Sequence, residues 1–155
     1  MALWQVNPDL PGQDIKLTFQ DLSLASQKAA NLLTTVGAGR VGCFLPRLPE
    51  WWITNLATIR AGIVMVPGNA KRTQQEILSR ILAAEIDCII GDWGVAEKVD
   101  NIPTNVLGNV KTKIMVGGEK EETGWLSWEK LMESSSDTFP VVRSDKDDVM
   151  QVIIS

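Results

Sequence analysis

The chain reads as an α/β protein: a mostly parallel sheet with helices on both faces. Three observations point there. The compact apolar runs at 41–45, 63–66 and 86–90 lack the in–out alternation of a strand with one wet face. Amphipathic helical patterns separate these runs, as crossover connections between parallel strands require. Gly37, Gly62 and the pair Pro67-Gly68 stand where a helix or a strand must stop.

The elements follow in order. A short strand is expected over 16–19, and Thr18 precedes a helical pattern as its capping side chain. Phe19, Leu22, Ala25, Ala29, Leu32, Leu33 and Val36 form one helical stripe that Gly37 ends. A strand over 41–45 comes next. Pro49-Glu50 opens a second helix through Trp51, Trp52, Leu56 and Ile59, closed by Gly62. A strand over 63–66 stops at Pro67-Gly68. Thr73-Gln74-Gln75-Glu76 is a capping box that starts a helix with Ile77, Leu78, Ile81 and Leu82 inward. Beyond it, strands are expected over 86–90 and 113–116, a short helix over 94–100, and a last helix capped by Ser127 and running through Leu131. The run 149–154 closes the chain as a strand, and its exposed edge is a candidate for pairing with another chain.

Composition narrows the chemistry. At 155 residues, with 45% apolar, the chain has enough material for one core, and its net charge of −4 comes without any basic block. No nucleic-acid partner is expected. Histidine is absent, which removes the commonest general base and metal ligand. Cys43 and Cys88 each sit inside an apolar run and read as buried thiols in a reducing compartment. No apolar run approaches the ~18 residues that span a membrane.

Ligands of open α/β sheets bind beyond the carboxyl ends of the strands. Four loops leave that rim: Pro46-Arg47-Leu48-Pro49, the stretch 67–72, Gly91-Asp92-Trp93-Gly94, and whatever follows Ser155. Lys71 and Arg72 precede a helix amino terminus, where two cations and free backbone donors suit a phosphate. Taken alone, they read more simply as solvated charges on a turn. Arg47, held between two prolines, is expected to pair with Glu50. Other patterns carry less. Gly37-Ala38-Gly39 follows a helix, the reverse of a dinucleotide loop, and Gly117-Gly118 runs into Glu119-Lys120-Glu121-Glu122, which would repel a phosphate. Trp51 and Trp52 point roughly 100° apart on a helix and suggest packing rather than a ligand cage.

The stretch Leu45-Pro46-Arg47-Leu48-Pro49-Glu50-Trp51-Trp52, then Ile59-Arg60-Ala61-Gly62 and Val66-Pro67-Gly68, closely resembles the medium-chain acyl-CoA synthetases of the AMP-forming adenylating superfamily. Ala2-Leu3-Trp4, Ser26-Gln27-Lys28-Ala29-Ala30-Asn31 and Gly124-Trp125-Leu126 extend the likeness nearly end to end. The turn Gly37-Ala38-Gly39-Arg40 is shorter than the family's. The resemblance implies a ligase using ATP, CoA and Mg²⁺: the carboxylate of a medium-chain fatty acid attacks ATP, releasing pyrophosphate, and the CoA thiol then displaces AMP. Such a reaction needs phosphate binding and charge stabilisation more than a protein base.

By the same resemblance, residues 1–155 are a partial amino-terminal part of the synthetase domain, and the parent location is the mitochondrial matrix, with no transit segment in this chain. Ser155 matches the first position of a phosphate loop. Lys71 matches a position near the CoA path. The later Tyr-Gly-x-Thr-Glu motif, the ribose-binding aspartate and the adenylation lysine fall outside the sequence. The isolated chain is therefore expected to be inactive and to bind none of the cofactors well. A second expectation is a truncated, non-catalytic protein that associates with itself or with an intact relative. A third, a self-sufficient flavodoxin-like module, lacks a ligand loop.

Overall fold

The computed structural model describes residues 1–5, 12 and 14–154. Two short strands, β1 (Leu3–Gln5) and β2 (Ile15–Leu17), pair antiparallel with Leu3 opposite Leu17. Then come α1 (Phe19–Thr35), β3 (Arg40–Phe44), α2 (Pro49–Ala61), β4 (Val64–Pro67), α3 (Gln74–Ala83), β5 (Cys88–Gly91) and α4 (Trp93–Asp100). β6 (Thr112–Met115), β7 (Trp125–Ser127) and α5 (Trp128–Ser134) complete the order. The main sheet runs β4-β3-β5-β6-β7, and each neighbouring pair is parallel.

Residue alternation along the strands feeds two cores, one on each face. Val41, Cys43, Met65, Cys88, Ile90 and Ile114 face α1, α2 and α5, where Ala29, Leu33, Ala57 and Trp128 meet them. Phe44, Val66, Ile89 and Met115 face the opposite side, against Ile77 and Ile81 of α3 and Val95 and Val99 of α4. Ile89 and Ile90 are adjacent yet fully buried on opposite faces, each worth about 1.5–3 kcal/mol of burial. That double burial is why the strands read as unbroken apolar runs.

Helix starts are chemically explicit. The Thr18 hydroxyl accepts the Asp21 N–H at 3.1 Å while the Asp21 carboxylate accepts the Thr18 N–H at 2.8 Å. Thr73 and Glu76 repeat the reciprocal pair at α3. α2 has no side-chain cap. It relies on Pro49 in its first turn and ends at Gly62, whose φ of 66° is the left-handed conformation glycine adopts freely.

The structure departs from the sequence expectations at defined points. The run 149–154 is not a strand: it makes a single parallel bridge, Gln151 to Met65, beside β4. Met65 donates its N–H to the Met150 carbonyl and accepts from Val152, both at 3.0 Å. The next donor in a parallel ladder would be residue 67, and Pro67 has no N–H, so the pairing stops. The stripe of α1 buries its face only after the first turn, leaving Phe19 76% exposed. On α2 the inward residues are Trp51, Ile53, Thr54, Ala57 and Thr58, while Trp52, Leu56 and Ile59 line the outer side. Leu82, expected inward on α3, is 48% exposed. β1 and β7, three residues each, have too little pattern to be read from sequence. Among the described residues, no helix is long and apolar enough to cross a membrane.

Candidate functional site

The order of strands across the sheet doubles back over β3. After β3 the chain crosses through α2 on one face to β4, and after β4 it returns through α3 on the other face to β5, on the far side of β3. The β3 and β4 loops therefore diverge, opening a crevice at the carboxyl ends of the strands. A cavity of about 340 Å³ occupies it, lined on one side by Leu45, Pro46, Arg47 and Trp51 and on the other by Pro67, Gly68, Asn69, Arg72 and Arg80, with Ile154 at its margin.

Both walls are held firmly. Gly68 donates its N–H to the Cys43 carbonyl at 2.9 Å, and a Cβ there would lie 2.3 Å from Phe44 Cδ1. The loop can lie this close to the Phe44 ring only because it carries glycine. The Asn69 side chain accepts the Lys71 N–H at 2.9 Å, and Lys98 of α4 donates to the Ala70 carbonyl at 3.0 Å. On the opposite wall the Arg47 guanidinium lies 4.4 Å from the Trp51 ring centre and 5.6 Å from that of Trp52. Trp51 and Trp52 meet edge to face at 4.9 Å.

The expected Arg47–Glu50 pair does not form among the described residues. Stacking on the two indoles holds the guanidinium instead, and it stays at the cavity wall. Packing, rather than a ligand cage, was the expectation for the tryptophans, and Trp51 is buried in the α1–α2 core.

Three arginines thus reach one cavity. Arg72 is ion-paired with Glu76 at 2.7 Å, and the Thr73 backbone hydrogen bond followed by Arg72 pushes the Glu76 carboxyl down to about 2. Arg80, only 6% exposed, donates to the carbonyls of Glu76 at 3.1 Å and Ile154 at 3.4 Å. No described carboxylate pairs with it. Sequence reasoning passed over Arg80, although a cation at the inward position between Ile77 and Ile81 was the available signal.

Lys71 follows the same loop but lies outside the cavity lining, with its side chain exposed. Ser155 lies outside the described residues. The two cysteines are free and buried on β3 and β5, and burial pushes both thiols up to about 12. Among the described residues no cluster of three or more acidic, cysteine or histidine side chains could hold a metal ion. The arrangement can hold an anion. It offers guanidinium donors in a half-enclosed site and no acid–base pair.

A parallel α/β unit with a cationic cavity at its strand-order reversal is the setting in which open sheets of this kind commonly bind ligands. The chain belongs to the AMP-binding enzyme family, whose profile matches residues 2–155. Acyl-coenzyme A synthetase ACSM4, mitochondrial, of Rattus norvegicus is 38% identical over 155 residues, covering 97% of this chain and 26% of the relative. Acyl-coenzyme A synthetase ACSM3, mitochondrial, of Mus musculus is 33% identical with the same coverage. In structure, the chain resembles an acyl-CoA synthetase of Brucella canis with a TM-score of 0.82 at 22% identity, covering 97% of this chain and 27% of that one. At that identity the likeness speaks for the fold. The chain spans about a quarter of the length of the relatives it matches.

Proposed function

We propose that residues 1–155 form the amino-terminal part of the large domain of an AMP-forming medium-chain acyl-CoA ligase. The observation that carries this reading is the three-arginine cavity at the strand-order reversal, in a chain whose relatives are named acyl-coenzyme A synthetases. ATP, CoA, Mg²⁺ and a medium-chain carboxylic acid are the ligands of the complete enzyme. The cationic wall fits phosphate-bearing groups. Lys71 serves the CoA path, and Ser155 opens the phosphate loop. The location proposed is the mitochondrial matrix, and the relatives' names support its mitochondrial part.

Residues 1–155 correspond to 26% of the rat relative, and on this reading catalysis belongs to the complete enzyme. The test is a chimera in which residues 1–155 replace the matching quarter of the rat relative, assayed for AMP release from ATP, octanoate and CoA. The chimera is expected to release AMP and the isolated chain to release none. A folded but inert chimera, or AMP release by the isolated chain, overturns the reading.

A second reading draws on the edge beside β4, where Met150 and Ile153 are exposed next to a single bridge. On that reading the chain associates with itself or a relative through this edge. Light scattering over a hundredfold concentration range decides it: a constant monomer mass removes self-association.

A further inference from the structure

A second concavity lies between α1 and α5 and shares no lining residue with the arginine cavity. Leu17 at the end of β2, Leu24 and Ala25 of α1, and Trp128 and Met132 of α5 supply the apolar lining of this groove of about 570 Å³. Trp128 is 4% exposed and belongs to the core, whereas Leu24 is 40% exposed. The apolar surface therefore runs from the core out to solvent.

Four carboxylates edge the groove, those of Asp21, Glu50, Glu129 and Glu133, against Lys28 as the single described cation of its lining. None of these five side chains forms an ion pair among the described residues. Asp21 accepts the Thr18 N–H and Glu129 the Gly117 N–H, each at 2.8 Å. Those bonds orient the two acids without bringing a positive charge to them. Lys130, next to Glu129 on α5, is taken by Glu119.

The spacing of the walls suits a helix. Leu24 and Lys28 stand one turn apart on α1, and Glu129, Met132 and Glu133 follow three- and four-residue spacing on α5. Such a trough, apolar between acidic margins, complements a helix with apolar anchors on one face and lysine or arginine beside them. We propose that the α1–α5 groove docks a basic amphipathic helix of another protein. A second copy does not supply one, because this chain has a net charge of −4 and no basic block. The docking surface is independent of the ligase reading.

Fluorescence anisotropy on the 155-residue chain tests it. The probe is a labelled leucine–lysine helix of about 14 residues with its leucines on one face, and the control peptide carries glutamate in place of lysine. The lysine peptide is expected to bind, with a Kd that rises about tenfold between roughly 0.05 and 0.3 M salt, and the glutamate peptide to stay free. Glu50→Lys with Glu133→Lys raises the Kd about tenfold, and Leu24→Ser about fivefold, with far-UV circular dichroism unchanged. If the lysine pair unfolds, Glu50→Gln with Glu133→Gln carries the test, at about threefold. Glu85→Lys with Asp147→Lys changes the net charge as much as the lysine pair but lies outside the groove, and leaves the Kd in place. Equal weakening by this remote pair would reduce the attraction to net charge and overturn the proposal. So would no binding below about 1 mM, or a Kd indifferent to Leu24→Ser. Groove variants that instead change the mass of the unliganded chain in light scattering would make the occupant a second copy and overturn it too.

Discussion

The Asp100 carboxylate, on the last residue of α4, accepts the indole N–H of Trp125, the first residue of β7, at 2.8 Å. The same carboxylate accepts from Lys120 and from the Thr123 hydroxyl, each at 2.8 Å, and lies 3.5 Å from Lys113. Trp125 is fully buried, so this single acid satisfies an indole donor that has no water to turn to. Three residues of strand would hardly hold the sheet edge alone. The acid locks β7 and the preceding turn onto α4.

Asp100→Ala therefore orphans a buried indole N–H and frees two lysines. The expected loss is about 2–4 kcal/mol in urea unfolding, and Asp100→Asn should lose about half as much because one acceptor oxygen remains. A loss under about 0.5 kcal/mol for the alanine variant would show the network to be dispensable.

Acid should reach this protein partly through its helix starts. The Glu76 carboxyl is held down to about 2 from 4.5, first by the Thr73 backbone and then by Arg72. A depressed folded value means that its stabilisation is complete above the unfolded value and disappears as pH falls from 4.5 toward 2. Asp21 is lowered in the same way, chiefly by the Thr18 hydroxyl. At Asp100 burial pushes upward, but the hydrogen bonds from Lys120, Trp125 and Thr123 outweigh it and leave the group lowered. Glu76→Gln should flatten the stability–pH curve in that window, read by urea midpoints from pH 2 to 6. An unchanged slope would remove the α3 capping box from the account.

Gly68 offers a steric test of the cavity wall. An added methyl group would sit 2.3 Å from Phe44 Cδ1 and 2.5 Å from Cε1, and the Phe44 ring is fully buried. Either the ring or the loop must move, at a cost of about 1–3 kcal/mol. Gly68→Ala is expected to lower the urea midpoint accordingly and to displace residues 67–69 in a crystal structure. An unshifted loop at full stability would mean that the ring yields freely.

Arg47 tests the other wall. Removing a guanidinium stacked on Trp51 and Trp52 by Arg47→Ala should cost about 0.5–1 kcal/mol and alter the near-UV circular dichroism of the indoles. Glu50→Ala should leave that spectrum unchanged, since Glu50 takes no part in the stack. Matching spectral changes in both variants would restore the ion pair expected from sequence.

Legibility in the sequence followed the range of each interaction. Helix starts were plain because the Thr18–Asp21 and Thr73–Glu76 pairs span only three residues. The central strands were plain because burial on both faces writes them as Val41 to Leu45 or Ile86 to Ile90. β7 escaped because its security comes from Asp100, 25 residues away. The strand expected over 149–154 failed because its partner, not its own composition, decides pairing, and that partner carries Pro67. The cavity was half legible. Its loops and Arg72 could be placed from spacing, but Arg80 was passed over because its burial depends on contacts outside its own helix, and the stacking of Arg47 is a contact no pairwise charge pattern reveals.

Cys43 and Cys88 give the last prediction. They lie on adjacent strands, both fully buried and both free. Burial is the main cause that pushes each thiol from 9.0 to about 12; a Leu45 backbone hydrogen bond opposes it slightly at Cys43, and the charge of Asp87 adds to it at Cys88. A raised folded value favours the neutral thiol, so the stabilisation is fully present below pH 9 and is lost as pH climbs toward 12. The thiolate is the reactive form, so folded protein at neutral pH should resist a disulfide reagent such as DTNB. Labelling should then proceed only through opening of the core, at a rate that rises with urea in step with unfolding. Two equivalents should react at once in full denaturant. Replacing both residues with alanine should remove part of the stability loss between pH 9 and 12. If the native thiols react as fast as a free cysteine while the far-UV signal holds, the sheet opens at β3–β5 without unfolding, and the packed core described between those strands is wrong.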